Sequence, residues 1–465
     1  MRMILTEVTG MLLDSIFRPF VERRPVCVMA RAVLERVLDP IHIDALFERT
    51  AERQYTRHLL FSSVVDLMAQ VVVRLQPSVH AAYQALEDRM GVSDQAVYNK
   101  LQSVEPRISA ELVRDSAQQV RGVVRELGAT FPSWLPRYRV KVLDGNHLSA
   151  TEHRIDELRT LWDAPLPGKV LVVLDQAHML ATKVFLTEDG HAQERSLLND
   201  VLDSVEAGDL WIADRNFCTI RFIFGIFLRR GAFLIRQHGT VKGELIGTRK
   251  ACGRCSTGRV YEQALRLKDA DGTAHVVRRI TIVLNVPTRD GDTELHLLTN
   301  TPAETANAAQ LAELYRERWT IETVFLELQQ TLECEINTLG YPKAALFAFC
   351  LALMVFNAVS LVKAALRAVH GRKKVDQEVS GYYLSLEIQH TYDGMMIAVP
   401  GEHWAIFRDM TDAKFARILE DIAGHVNLSK YRKHPRGPKK PPPKKTKYKN
   451  GGHVATARLL AGRKK

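Results

Sequence analysis

Residues Arg137–Leu148 read RYRVKVLDGNHL, and three later segments share their character: GKVLVVLDQAHM (Gly168–Met179), ATKVFLTEDG (Ala181–Gly190) and DLWIADRNF (Asp209–Phe217). Each is a short run of Val, Ile, Leu and Phe that ends at Asp, Asn or Gly, as buried strands do when they run into turns. The second and third look like a strand pair around a short turn. A helix is predicted from about Glu194 to Ala207. CTIRFIFGIFLRRG is a further helix, closed by Gly231, and AFLIRQH after it is another strand. The order strand, strand, strand, helix, strand, helix, strand predicts a mixed α/β layer.

Outward from this layer the chain changes character. Residues 26 to about 128 have helical periodicity, as in VMARAVLERVL and HLLFSSVVDLMAQVVVRL, broken at Pro77. In AAYQALEDRMGVSDQAVYNKLQSV (Ala81–Val104) one helix ends at Gly91, and Ser93 is placed to cap a second. This is the outline of a helix-turn-helix, with Gln95, Tyr98, Asn99 and Lys100 offered to bases or phosphates. An ordinary helical hairpin has the same outline. From Gly239 to about Thr301 short strands alternate with polar turns (Asp269–Gly272, Arg289–Asp292), which predicts a β-rich insertion. Helices resume in NAAQLAELYRERWTIETVFLELQQTLECE (Asn307–Glu335) and continue to about Ala423. The expected organisation is a helical, helix-turn-helix-like DNA-binding region (1–130), a mixed α/β layer in two parts (131–238 and 306–370) around the insertion (239–305), a helical region (371–429) and a basic disordered tail (430–465).

The 465 residues carry a net charge of +11, from 64 Lys and Arg against 53 Asp and Glu. Fourteen of those basic residues and no acidic one lie between Lys430 and Lys465, so residues 1–429 hold 50 basic and 53 acidic groups, a net of −3. Such a tail suits phosphates held without sequence reading. Six scattered Cys do not make a disulfide framework, which suits a reducing, cytoplasmic setting. The pair Cys252-Gly-Arg-Cys255 lacks the second pair that a zinc ribbon needs. Glu7 and Asp14 interrupt the N-terminal apolar run and make it a poor signal peptide. The uncharged stretch AALFAFCLALMVFNAVSLV (Ala344–Val362) is long enough to span a bilayer, but its Ala content, Asn357 and Ser360 favour a buried core helix. No membrane association is expected.

Three acidic residues stand where an α/β fold gathers ligands. Asp144 ends an apolar strand before Gly145, Asp214 ends LWIAD before Arg215-Asn216, and Glu322 lies on the helix after the insertion. Asp175, in VVLDQAH, reads as a turn residue. Carboxylates without Cys or His suit hard cations bound through oxygen, Mg²⁺ above all. The run Y-R-E-R-W-T-I-E sets Tyr315, Arg318 and Glu322 on one helix face. Arg supplies a bidentate fork for phosphate, and Tyr a ring or a hydroxyl.

These residues together (the D-G of VLDGNHL, the D-R-N-F of WIADRNF, and Tyr315, Arg318, Glu322) resemble the DDE transposases of the insertion-sequence-4 group over roughly residues 130–365. In that family a Lys follows seven residues after the Glu; here the position is Gln329, which can donate a hydrogen bond but brings no charge. The resemblance implies an RNase H-like sheet flanked by helices and interrupted by a β-rich insertion. It implies Asp144, Asp214 and Glu322 as catalytic ligands of two Mg²⁺ ions, with Mn²⁺ able to substitute. It further implies cut-and-paste transposition on double-stranded DNA by a homodimer: cleavage at the terminal inverted repeats, then strand transfer to target DNA. Tyr315, Arg318 and Gln329, with Arg215 and Asn216 beside the second Asp, are the DNA contacts expected on this reading, joined by Asn99 and Lys100. Two rivals share these features: a transposase-derived DNA-binding protein without catalysis, and an RNase H-like nuclease without strand transfer.

Overall fold

The computed structural model describes residues 13, 15–54, 58–148, 151–153, 155–269, 271–288, 291–434 and 452–462. The N-terminal run weighed as a signal peptide falls almost wholly outside them, as do residues 435–451 and 463–465 of the basic stretch. In chain order come helices α1 (Pro25–Val37), α2 (Pro40–Thr50), α3 (Phe61–Val72), α4 (Val79–Met90), α5 (Asp94–Ser103) and α6 (Pro106–Glu126). Strands β1 (Arg139–His147), β2 (Ala164–Leu166), β3 (Lys169–Asp175), β4 (Leu180–Thr187) and β5 (Asp209–Ala213) follow, then α7 (Ile220–Leu228) and β6 (Ala232–Arg236). After them come β7 (Glu244–Cys255), β8 (Gly258–Lys268), β9 (Ala274–Leu284) and β10 (Glu294–Thr299). The chain continues through α8 (Ala308–Arg316), α9 (Trp319–Thr331), α10 (Pro342–His370), α11 (Gly381–Ala398) and α12 (Asp412–Gly424), to a short β11 (His453–Ala455).

Nine strands form one sheet in the order β4-β3-β1-β5-β6-β10-β9-β8-β7. β1 lies antiparallel to β3, and β3 to β4, whereas β5 and β6 run parallel to β1. This five-strand half is the mixed α/β layer anticipated from the strand order, with the RNase H-like sheet that the resemblance implied. The β-rich residues do not stand apart from it. β10 pairs antiparallel with β6, Leu298 opposite Ile235, so β10 to β7 prolong the same sheet. The outermost strand, β7, is exposed along most of its length and, among the described residues, pairs only with β8.

One face of this five-strand half packs Val142, Val172, Leu174 and Val184 against α6 and α10; the other packs Leu143, Val173 and Trp211 against α7. Strand alternation explains the split, since neighbouring residues point to opposite faces. Helix α10 contains the apolar stretch noted in the sequence. It is long and apolar enough to cross a membrane, yet 94% of its most apolar window is buried inside the protein. It touches α1, α3, α5, α6, α12 and β4, so the N-terminal helices, the sheet and the C-terminal helices share one hydrophobic cluster.

Asn357, fully buried in α10, ties three of these elements together. Its amide donates to Ser116 Oγ and to the Ala181 carbonyl oxygen (both 2.9 Å), and its oxygen accepts from the Ala181 N–H (2.9 Å). In the helical region, α4 ends at Gly91 with φ of +63°, and the Ser93 side chain caps α5 by accepting from the Ala96 N–H. A left-handed residue there costs glycine little, so the sharp turn between the two helices is encoded locally.

Within 430–465, expected to be a disordered tail, the described residues 430–434 and 452–462 take regular places in the fold. Tyr431 is buried, Arg432 bridges to Val379, and β11 pairs parallel with β2. Thr456 is fully buried, and Arg458 forms an ion pair with Asp189 (2.7 Å). The net charge of the stretch hid a short apolar segment, HVATARLLA, that finds a strand edge to complete.

Replacing Asn357 by Leu keeps the volume but strands the Ala181 N–H and carbonyl and the Ser116 hydroxyl. Buried polar groups left unsatisfied cost about 1–3 kcal/mol each, so we expect a loss near 3 kcal/mol in denaturant unfolding. A loss below about 0.5 kcal/mol would show that the amide is incidental to the packing.

Candidate active site

Asp144 and Asp214 are brought together by strand register. β1 and β5 are parallel neighbours with Leu143 opposite Ala213, so the residues that follow each stand side by side. Asp144 lies near the end of β1, on the face that also carries Val142. Its Oδ1 accepts from the Gly145 N–H (2.9 Å). Asp214 is the first residue beyond β5, and its side chain caps the short helix Arg215–Phe217 by accepting from the Arg215 N–H.

The third carboxylate arrives on α9, which packs across β1. Glu322 is exposed in the first turn of that helix, and Arg318, just before it, is buried. The guanidinium lies between two strand- and helix-borne acids: Nη1 donates to Asp144 Oδ2 (3.1 Å) and Nη2 to Glu322 Oε1 (2.7 Å). Burial pushes the Asp144 carboxyl up to about 6, and the charges of Glu322 and Asp214 add to that push against the opposing pull of Arg318 and Gly145. Asp144 therefore senses both other acids.

Tyr315 is half-buried, with Arg318 6.0 Å from its ring centroid, and burial raises its phenol well above the usual range. Trp319, beside Arg318, is 57% exposed instead. Arg215 and Asn216 are exposed next to Asp214. Asn216 Nδ2 donates to Glu194 Oε2 (3.1 Å), while Arg195 Nε donates to the Asn216 carbonyl oxygen (2.7 Å). Gln329 is exposed two turns beyond Glu322, its carbonyl oxygen accepting from Arg74 (3.3 Å). Asn99 and Lys100 belong to α5. Asn99 accepts from Gln95 (3.0 Å), and Lys100 lies 4.3 Å from the Phe47 ring centroid, its pKa lowered by burial. The contacts thus gather Asp144, Asp214, Glu322, Arg318 and Tyr315, and leave Asn99, Lys100 and Gln329 outside that group.

Glu194 is the site neighbour that sequence reading missed. A Cβ placed on Gly145 would fall 2.4 Å from Glu194 Oε1, so the absence of a side chain at 145 admits this carboxylate beside Asp144. Its only sequence signal is the glycine that follows Asp144.

Among the described residues, no group of three or more His, Cys, Asp or Glu side chains stands close enough to share a metal ion. The donors nevertheless fit a hard divalent cation in kind, being carboxylate oxygens alone. The guanidinium of Arg318 holds the cationic position between two of them.

Residues 136–358 match the family model of the transposase DDE domain. That span opens just before β1, closes inside α10 and contains all three carboxylates. No curated protein matches the chain in sequence. Among solved structures, a piggyBac transposase in a cryo-EM synaptic complex with hairpin DNA aligns over 82% of this chain and 83% of its own, at 8% identity and a TM-score of 0.40.

The raised Asp144 pKa has a stability consequence. The folded protein holds this proton up to about pH 6 and the unfolded chain only to about 3.8, so stability falls as pH rises through that window. In metal-free buffer at pH 7.5, Asp144→Asn should therefore be the more stable protein, by about 1–3 kcal/mol, with the gain shrinking below pH 4. Chemical denaturation at both pH values measures it. A variant less stable than wild type at pH 7.5 would mean that the ion pair with Arg318 outweighs the cost of burial.

Proposed function

We propose that this protein is a transposase of the insertion-sequence-4 type that cleaves DNA at the ends of its element and joins them to target DNA. The observation that carries the reading is the meeting of Asp144 and Asp214, from adjacent parallel strands, with Glu322 on a helix tied to Asp144 through Arg318. The transposase DDE domain match over these residues supports it.

Asp144, Asp214 and Glu322 would hold two Mg²⁺ ions, or Mn²⁺ in their place, which when bound supply activation of water or a 3′-hydroxyl and stabilisation of the leaving oxygen. Arg318 offers two parallel donors that already face acidic oxygens, the arrangement that suits the non-bridging oxygens of a phosphodiester. Exposed Trp319 gives a face on which an unpaired base near the cut can stack, a role the half-buried Tyr315 is poorly placed to fill. Tyr315 instead packs under the guanidinium and fixes its height. Glu194 orients the Asn216 amide beside Asp214, where it can donate to the DNA backbone. The substrate is double-stranded DNA, both the terminal inverted repeats and the target. A homodimer bridging the two ends is the expected assembly, with the α4–α5 turn and the basic stretch before β11 adding contacts to DNA.

The test is cleavage of a duplex carrying the element's ends, with Mg²⁺, by wild type and by Asp144→Asn, Asp214→Asn and Glu322→Gln. Each variant should lose cleavage at least about 1000-fold and keep end binding within about threefold, as expected when groups acting on the reacting atoms are removed. Cleavage at the wild-type rate by any of the three would remove that residue from the site.

A further inference from the structure

Asp175, read from the sequence as a turn residue, lies at the heart of a second charged region. It ends β3 and is buried, with Lys141 Nζ at 3.0 Å, His178 Nδ1 at 3.4 Å and Arg121 at 3.6 Å. Burial alone would raise its carboxyl, yet the close approach of His178 and the hydrogen bond from Lys141 hold it far below the usual carboxylate range. This cluster borders a cavity of about 640 Å³ at the edge of the sheet where β1 and β5 begin, opposite the edge that carries Asp144 and Asp214.

Six cationic side chains line the cavity: Arg114, Arg121 and Arg125 from α6, and Arg139, Lys141 and Lys183 from the strands. Asp175, Glu206 and Asp209 oppose them, which leaves an excess of three positive charges before His178 is counted. The surplus is identifiable. Arg139 is ion-paired with Asp209 and Glu206, Lys141 and Arg121 with Asp175, and Arg114 with Glu111. Arg125 makes no ion pair among the described residues, and Lys183 has only a long hydrogen bond to the Ser204 carbonyl oxygen (3.4 Å). Burial lowers the Lys183 pKa, with no carboxylate close enough to offset it fully.

Neutral donors on the wall are also unsatisfied. Trp211 is 1% exposed and lines the cavity, yet its indole N–H has no partner among the described residues. His178 is buried, its Nδ1 at the limit of a hydrogen bond to Asp175 and its Nε2 without one. Unpartnered buried donors are uncommon in folded proteins, because each costs the desolvation of a polar group. A concave site of several hundred cubic ångströms with surplus cations and spare N–H donors is shaped for an anion rich in acceptor oxygens.

We propose that this cavity is a binding site for a phosphate-bearing ligand with at least two phosphate groups, held chiefly by Lys183 and Arg125 and distinct from the carboxylate site. The phosphates can come from a free nucleotide or from the backbone of a nucleic-acid strand entering the cavity. Both offer the same chemistry to the same cations.

The test titrates sodium tripolyphosphate calorimetrically, at constant ionic strength, into the full-length protein and into Lys183→Gln and Arg125→Gln. The basic stretch near the C-terminus also attracts anions, so binding is counted only where these substitutions remove it. The expected result is one saturable site in wild type, weakened at least tenfold in each variant and unchanged in Asp214→Asn. Arg125 is exposed, so its variant keeps the test valid if Lys183→Gln folds poorly. Displacement of bound tripolyphosphate by ATP but not by a single-stranded ten-nucleotide DNA identifies a nucleotide site. Displacement by the oligonucleotide identifies a strand site. Affinity unaltered by both substitutions, or no saturable binding, overturns the proposal.

Discussion

The burial of α10 is the constraint on which the rest of the molecule depends. A helix of 29 residues that is apolar nearly all round cannot rest on the surface of a soluble fold, so other elements must cover it on every side. The sheet covers it through β4, the N-terminal helices through α1, α3, α5 and α6, and the C-terminal region through α12. Asn357 adds direction to this packing. Its side chain can satisfy the Ala181 backbone and Ser116 at once only if strand, α6 and α10 meet in one register. The same packing fixes the sheet face on which Asp144 lies, and hence where α9 must deliver Glu322.

The carboxylate site is electrostatically costly in the state described. Asp144 is largely buried beside two other acids, and the raised carboxyl records that cost. Arg318 offsets part of it by standing between Asp144 and Glu322. Buried groups with perturbed ionisation, gathered at the end of parallel strands, mark working sites more often than structural ones. The contrast with Asp175 is instructive. That acid is equally buried, but its cationic neighbours hold it ionised at all ordinary pH, so it behaves as the counter-charge within a basic cavity.

Much of this was legible in the chain. The apolar runs around Val142, Val172 and Ile212 gave the strands because each is buried on both faces and bounded by turn residues. The spacing of Arg318 and Glu322 anticipated their ion pair, but the single helix face expected for Tyr315, Arg318 and Glu322 does not form: the chain breaks at Glu317–Arg318, leaving Tyr315 on α8 and Glu322 on α9. Other features were hidden. β7 is exposed and charged along its length, so no hydrophobic pattern announced it, and its place in the sheet comes from pairing with β8. Net charge concealed β11, whose three residues mean nothing until β2 supplies an edge. Glu194 was invisible because its closeness to Asp144 depends on Gly145 and on a chain path no local pattern encodes.

The central claim is that Asp144, Asp214 and Glu322 form one site for divalent cations. Titrating Mn²⁺ into the full-length protein and following the free ion by electron paramagnetic resonance tests this without requiring the DNA substrate. The account predicts saturable binding by the wild-type protein that falls at least tenfold in affinity in Asp214→Asn, chosen because the ion pairs of Arg318 are with Asp144 and Glu322. Equal Mn²⁺ binding by the two proteins, or none by wild type, would contradict it.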